Sequence, residues 1–102
     1  MEKQLLFADK RIAAGLELIE KDKPSLAVQT ALKGEYYLLS ATQDWSTLTV
    51  EERSRLEGKL SRAALKHQQV LTYLGKSIDG GSEEVSRALE VNLQATRTLR
   101  QK

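Results

Sequence analysis

The sequence has no cysteine, a single proline and only six glycines among its 102 residues. Without cysteine it forms no disulfide and no thiolate metal site, and both reducing and oxidising compartments stay open. Proline and glycine are the residues that most often mark turns, so their scarcity indicates few turns and long helices. The hydrophobic fraction of 40% and the charged fraction of 29% are ordinary for one globular domain over residues 1–102.

Long apolar runs are also missing. No stretch approaches the roughly 18 apolar residues of a transmembrane helix, and Met1–Gln4 lacks the hydrophobic core of a signal peptide. We therefore expect no membrane insertion by this segment. The formal net charge is only +2, and basic residues alternate with glutamate along the helices instead of gathering on one face. We expect no specific nucleic-acid binding.

Two amphipathic segments make up the first half of the chain. The first, residues 3–20, ends at Lys21–Pro24, where proline disfavours the helical conformation of the residue before it and starts the next helix. The second covers about residues 24–42, and the small side chains of its inner line allow another helix to approach closely. This line consists of Ala27, Ala31, Gly34, Leu38 and Ala41.

The third segment begins at a capping box formed by Thr49 and Glu52 and runs to about Ile78. By the helical rise it is roughly 15 Å longer than its neighbours, so it either bends or extends beyond the bundle. An overhanging end would expose Leu71, Leu74 and Ile78, and exposed apolar patches generally mark contacts.

Asp79–Gly81 supplies the C-cap of the third helix, and Ser82 opens the fourth. The stripe of the fourth helix is half polar, so we expect this helix to pack most weakly. The stripe consists of Val85, Leu89, Asn92, Thr96 and Leu99. The predicted fold is an all-α antiparallel bundle of four helices, or three if the last is loosely docked, with the third helix longest.

His67, the only histidine, is the obvious candidate for chemistry. A helical metal site would add a carboxylate or a second histidine one turn away, but alanine, valine and leucine occupy those positions. We expect no metal and no cofactor, and a half-buried histidine hydrogen-bonded to Glu35 or to a tyrosine of the second helix. Because Ser-His and Cys-His arrangements and a glycine-rich phosphate loop are lacking, enzymatic activity is not expected.

The aromatic residues Tyr36, Tyr37 and Trp45 have two interpretations. Tyr36 and Tyr37 lie about 100° apart on one helix, so at most one points squarely inward, and Trp45 follows in a loop that covers one end of the bundle. Packing is the plainer interpretation. The functional alternative is an exposed aromatic pair that binds a partner or a glycan.

Four stretches resemble a family of uncharacterised helical domains: residues 6–11 (LFADKR), 16–24 (LELIEKDKP), 33–38 (KGEYYL) and 64–71 (ALKHQQVL). That family occurs in membrane-tethered proteins of Gram-positive and candidate-phylum bacteria, where the domain typically follows a signal-anchor segment and faces outward. The resemblance implies that Lys66 and His67 belong to the framework, and that this chain is an ectodomain whose anchor lies upstream of Met1. No activity is attached to the family, so it implies no catalytic residue.

These observations favour a non-enzymatic interaction or spacer module in a bacterial envelope, or in the cytoplasm if no anchor exists. It would bind an unknown protein partner or self-associate as a homo-oligomer, through the flank of the first hairpin and the end of the third helix. One alternative is a cytosolic adaptor that receives a partner helix in the groove beside Ala27, Ala31 and Gly34. Another is a small-molecule sensor with a cavity lined by Tyr36, Tyr37 and His67.

Overall fold

The computed structural model of the chain describes residues 2–78 and 83–100. Helices account for 92% of these residues, and no strand occurs among them. The helices are α1 (Glu2–Glu20), α2 (Pro24–Gln43), α3 (Val50–Lys76) and α4 (Glu83–Arg100), with one 3-10 turn at Trp45–Thr47. The predicted all-α bundle is confirmed, and α3 is the longest helix with 27 residues. The predicted cap at Asp79–Gly81 and the start at Ser82 lie outside the described residues.

A tight turn joins α1 to α2. The backbone N–H of Lys23 donates to the carbonyl of Leu18 over 3.0 Å, and that of Asp22 donates to Ile19 over 3.1 Å. Asp22 has a φ of 61°, in the left-handed region that aspartate tolerates better than most residues. This Schellman-type ending, followed directly by Pro24 in the first turn of α2, makes α1 and α2 an antiparallel hairpin.

The two hairpins, α1–α2 and α3–α4, lie side by side, with α1 next to α3 and α2 next to α4. One core cluster joins the start of α1, the end of α2, the start of α3 and the end of α4, through Leu5, Leu38, Leu60 and Leu99 among others. The other joins the opposite halves through Ile12, Ala31, Leu71 and Ala88 among others. Each helix therefore runs antiparallel to the one before it, whereas α1 and α3 run parallel, as do α2 and α4.

The small residues of α2 are covered by α1. A Cβ atom on Gly34 would lie 3.0 Å from Cβ of Arg11 and 3.1 Å from the carbonyl oxygen of Ala8. Ala27 and Ala31 are equally buried. The prediction of a close helix approach is therefore confirmed. The prediction that the groove beside Ala27, Ala31 and Gly34 receives a helix of another protein is wrong, because α1 of the same chain fills that groove.

The prediction that the far end of α3 exposes Leu71 and Leu74 is wrong, because both side chains are 0% exposed. Ile78 is partly buried against the same cluster. The exposed end of α3 is its first turn, where Val50 is 76% exposed. The cause is the alignment of α1 with α3, which run parallel. Glu2 at the start of α1 contacts Arg55 and Lys59, so the first turn of α3 extends beyond the start of α1.

The capping box is present as predicted, since Thr49 Oγ1 accepts from the Glu52 backbone N–H and Glu52 Oε1 accepts from that of Thr49. The preceding turn buries Trp45 in the first core cluster. Arg53 holds this turn by donating from Nε to the carbonyl of Trp45 over 3.0 Å and from Nη2 to that of Ser46 over 2.7 Å. Trp45 therefore covers one end of the bundle and is not an exposed contact residue.

The fourth helix is docked against both α2 and α3, so the bundle has four helices and not three. Ala88 and Ala95 are completely buried, and such small side chains let α4 approach closely. Leu93, by contrast, points away from the core. Among the described helices, none combines the length and the apolar character needed to cross a membrane.

Candidate functional site

A buried polar network crosses the centre of the bundle and joins all four helices. His67 Nδ1 lies 2.8 Å from Glu35 Oε2, and His67 Nε2 lies 2.7 Å from Asp9 Oδ1. Asn92 Nδ2 donates to Glu35 Oε1 over 2.8 Å and to the carbonyl oxygen of Ala64 over 3.0 Å. The network lies between the two apolar clusters and fixes the relative positions of the helices.

The charge state of this network follows from its geometry. Ionised carboxylates only accept hydrogen bonds, so two of them flanking one imidazole favour a hydrogen on each ring nitrogen. Burial acts to lower the pKa of His67, but the hydrogen bond and charge of Glu35, followed by those of Asp9, outweigh it and raise the pKa above its ordinary value of 6.5. The protonated form of the imidazole is thus favoured by a fully buried carboxylate and by one that is 49% exposed.

This arrangement is poorly suited to catalysis or metal binding. Each ring nitrogen of His67 already faces a carboxylate oxygen, so neither offers a free lone pair to a proton or a metal. The ring is also only 1% exposed. The described residues contain no group of three or more histidine, aspartate and glutamate side chains that could hold a metal ion.

An aromatic and basic surface lies on the outer side of the first hairpin. The rings of Phe7 and Tyr37 pack in a tilted arrangement with their centroids 5.5 Å apart. The guanidinium carbon of Arg11 lies 5.9 Å from the centroid of Tyr37, a cation–π contact. A recess of about 340 Å³ opens beside them. Its walls are formed by Arg11, Lys33, Tyr36, Tyr37 and Ser40, which together with Phe7 we call the hairpin surface.

The helical repeat explains why these side chains share one side. On α1, Phe7 and Arg11 are one turn apart. On α2, Lys33, Tyr37 and Ser40 follow one another at intervals of one turn. The close approach at Gly34 brings the two stripes together. Phe7 and Tyr36 are among the exposed large hydrophobic side chains. Neither Arg11 nor Lys33 forms an ion pair with any residue in the described ranges.

A second groove lies between α3 and α4, with a volume of about 290 Å³. It carries Leu65 beside polar residues such as Gln68 and Thr96, and it has both an acidic and a basic residue, Glu57 and Arg100. It has no aromatic lining. Mixed charge and few apolar side chains make it the weaker candidate for specific binding.

The sequence-predicted site residues separate into three groups. The first group belongs to the apolar clusters or packs against them, and consists of Trp45, Leu71, Leu74 and Ile78. Glu35 and His67 contact each other inside the core, and Glu35 is the partner type named for the histidine. Tyr36 is exposed and Tyr37 partly exposed on the hairpin surface. The prediction that Tyr36, Tyr37 and His67 line one cavity is wrong, because His67 lies in the core and does not line the recess.

The sequence patterns did not identify several residues of the buried network and of the hairpin surface as site residues. Asp9 and Asn92 complete the buried network, and Arg11 and Lys33 complete the hairpin surface together with Phe7. A signal existed for the surface, since an aromatic and a basic residue recur one turn apart on both helices. For Asp9, no local signal separates it from the other charged residues of α1.

No family model, no curated protein and no solved structure matches this chain.

Proposed function

We propose that this chain is a non-enzymatic interaction module that contacts a partner protein through the hairpin surface. The observation that carries the proposal is the exposed aromatic recess beside two basic side chains, Arg11 and Lys33, that have no ion-pair partner among residues 2–78 and 83–100. Aromatic residues and arginine are enriched where proteins bind one another, because they combine large contact area with directional polar groups. The bundle behind this surface acts as a rigid support.

The buried network supports a framework role for His67. A general base needs access to a substrate proton, whereas this ring is enclosed and bonded at both nitrogens. The network and the two apolar clusters would hold α1 and α2 in a fixed relation, and a fixed surface loses less entropy on binding.

We also propose that the module works in a bacterial envelope, as an ectodomain tethered by an anchor or as a spacer between envelope components. The resemblance of residues 6–11, 16–24, 33–38 and 64–71 to domains of membrane-tethered proteins supports this location. The adaptor and the sensor are not proposed, because the groove beside Gly34 is filled by α1 and the recess excludes His67.

The test compares two tyrosines of similar exposure on different hairpins. Tyr36 is 48% exposed on the hairpin surface and Tyr73 is 51% exposed on α3. Wild type, Tyr36→Ser and Tyr73→Ser are immobilised, and proteins retained from source-cell extract are quantified by mass spectrometry. We expect one defined protein, or a second copy of the chain, to be retained by wild type and Tyr73→Ser and lost with Tyr36→Ser. Equal retention by all three would contradict the proposal.

A further inference from the structure

We infer that the hairpin surface binds an acidic segment of its partner, with one apolar side chain of that segment entering the recess and flanking carboxylates contacting Arg11 and Lys33. This inference rests on the proposed function and names the chemistry of the partner. It follows from how the acidic residues of the first hairpin are used.

The acidic side chains of α1 and α2 are largely engaged away from the hairpin surface. Each of four has a partner among the described residues. Glu2 contacts Arg55 and Lys59, Asp9 contacts His67, Glu17 contacts Lys21, and Glu35 contacts His67 and Asn92. Among the residues lining the recess, both charged side chains are basic. The local charge of the recess is therefore positive and is not neutralised from within the hairpin.

The geometry favours carboxylates over other acceptors. Arg11 packs on the ring of Tyr37, which restrains the guanidinium, and a restrained guanidinium binds a carboxylate through two parallel hydrogen bonds. Lys33, on α2, contributes a point charge at the end of a flexible side chain. A segment with carboxylates on both sides of the apolar residue that enters the recess would therefore match the positions of Arg11 and Lys33.

The recess has the size and lining for one apolar side chain. Its volume of about 340 Å³ is at the lower end of ligand pockets, and it opens along the hairpin instead of enclosing a molecule. The rings of Tyr36 and Tyr37 form its apolar wall, and their hydroxyl groups and that of Ser40 provide hydrogen bonds to a peptide backbone. A peptide segment fits such an open recess better than a free small molecule.

The experiment measures fluorescence anisotropy of labelled peptides with the whole chain. The first peptide carries glutamates on both sides of a single tryptophan. The second has lysine in place of every glutamate, and the third has serine in place of tryptophan. We expect the first peptide to bind roughly tenfold more tightly than either of the others, and its affinity to fall as salt is raised.

Two charge reversals locate the binding. Lys33 and Arg97 are both exposed and both lie inside helices, but Arg97 is on α4. Lys33→Glu should weaken binding of the first peptide by roughly fivefold or more, and Arg97→Glu by less than about twofold. Thermal melts of both variants establish that the bundle is intact.

Three results of the peptide titrations would overturn the inference. They are equal affinity for the glutamate and lysine peptides, equal effects of the two reversals, and no binding of the glutamate peptide at low salt. Inorganic phosphate and phosphatidylserine vesicles serve as competing anions, and tighter binding to either than to the glutamate peptide would also overturn it. The retention experiment with Tyr36→Ser is independent of partner charge, so the proposed function can stand when this inference fails.

Discussion

Asn92 Nδ2 and Glu35 Oε1 lie 2.8 Å apart, and this hydrogen bond joins α4 to α2 in the interior of the bundle. The same amide group donates to the carbonyl of Ala64 on α3. Both side chains are enclosed, so water cannot replace either bond. Asn92 therefore connects the last helix to two others at once, which explains why a helix with a half-polar stripe is nevertheless docked.

The first prediction concerns this asparagine. Asn92→Leu keeps the branched shape of the side chain but leaves Glu35 Oε1 and the Ala64 carbonyl without their donor, so we expect the free energy of unfolding to fall by about 1–3 kcal/mol. Gln94→Leu, at an exposed position of the same helix, is the control and should change it by less than about 0.5 kcal/mol. Urea denaturation measures both. Equal effects would show that the bond to Glu35 contributes nothing.

The second prediction concerns pH. The carboxylates of Glu35 and Asp9 raise the pKa of His67 in the folded state above 6.5, its ordinary value, which is close to that of the unfolded chain. The folded state then binds more protons, so this stabilisation is complete below about pH 6.5 and is lost as the pH rises through the folded pKa. The slope is at most about 1.4 kcal/mol per pH unit for one proton.

His67→Gln removes the titrating imidazole, and titrating groups that do not contact residue 67 cancel in the comparison. The wild type should exceed the variant in free energy of unfolding by the largest amount near pH 6, and the excess should shrink toward pH 9 (about 2.5 units above the ordinary histidine pKa). Denaturant titrations across this range provide the measurement. A difference that is constant or grows with pH would contradict a raised pKa.

A third prediction separates close packing from helix propensity. Gly34→Ala places a Cβ 3.0 Å from Arg11 Cβ and 3.1 Å from the backbone oxygen of Ala8, so it should destabilise by about 1–3 kcal/mol despite better propensity. In Gly58→Ala the new Cβ meets only the flexible guanidinium of Arg62. The free energy of unfolding of that variant should rise by about 0.5–1 kcal/mol. Thermal melts of both test this, and stabilisation by both would show that α1 does not approach α2 so closely.

A fourth prediction replaces the expectation of an exposed end of α3. Leu74 is fully buried, so Leu74→Glu should lower the free energy of unfolding by several kcal/mol and unfold the domain, instead of weakening association selectively. Leu65→Glu, at an exposed position, should leave the melting temperature nearly unchanged. Circular dichroism measures the helical content and the melting temperature of both variants. A folded Leu74→Glu variant would restore the sequence-based interpretation.

The helices themselves could be predicted because their signals are local. Proline at position 24 and the capping box at Thr49 and Glu52 mark boundaries through interactions within a few residues. The inward position of His67 follows from the helical repeat, and Glu35 lies on the inner side of α2 by the same reasoning. These features need no knowledge of which helix neighbours which.

The remaining features depend on the arrangement of the hairpins. The helical rise gives the length of α3, but the contact of Glu2 with Arg55 determines which of its ends is uncovered. Asp9 reaches His67 only because α1 lies beside α3 and runs parallel to it. The hairpin surface likewise requires Arg11 of α1 and Lys33 of α2 to line one recess, so Tyr36 and Tyr37 could be named without their basic neighbours.

Site-directed photocrosslinking tests whether a partner protein binds the hairpin surface of the intact chain. Benzoylphenylalanine replaces Tyr36 in one variant and Tyr73 in another, two positions of nearly equal exposure. After irradiation in source cells, adducts are isolated and the crosslinked protein is identified. We predict one dominant adduct from position 36 and none of the same identity from position 73. Adducts from position 73 alone, or the same products from both positions, would contradict it.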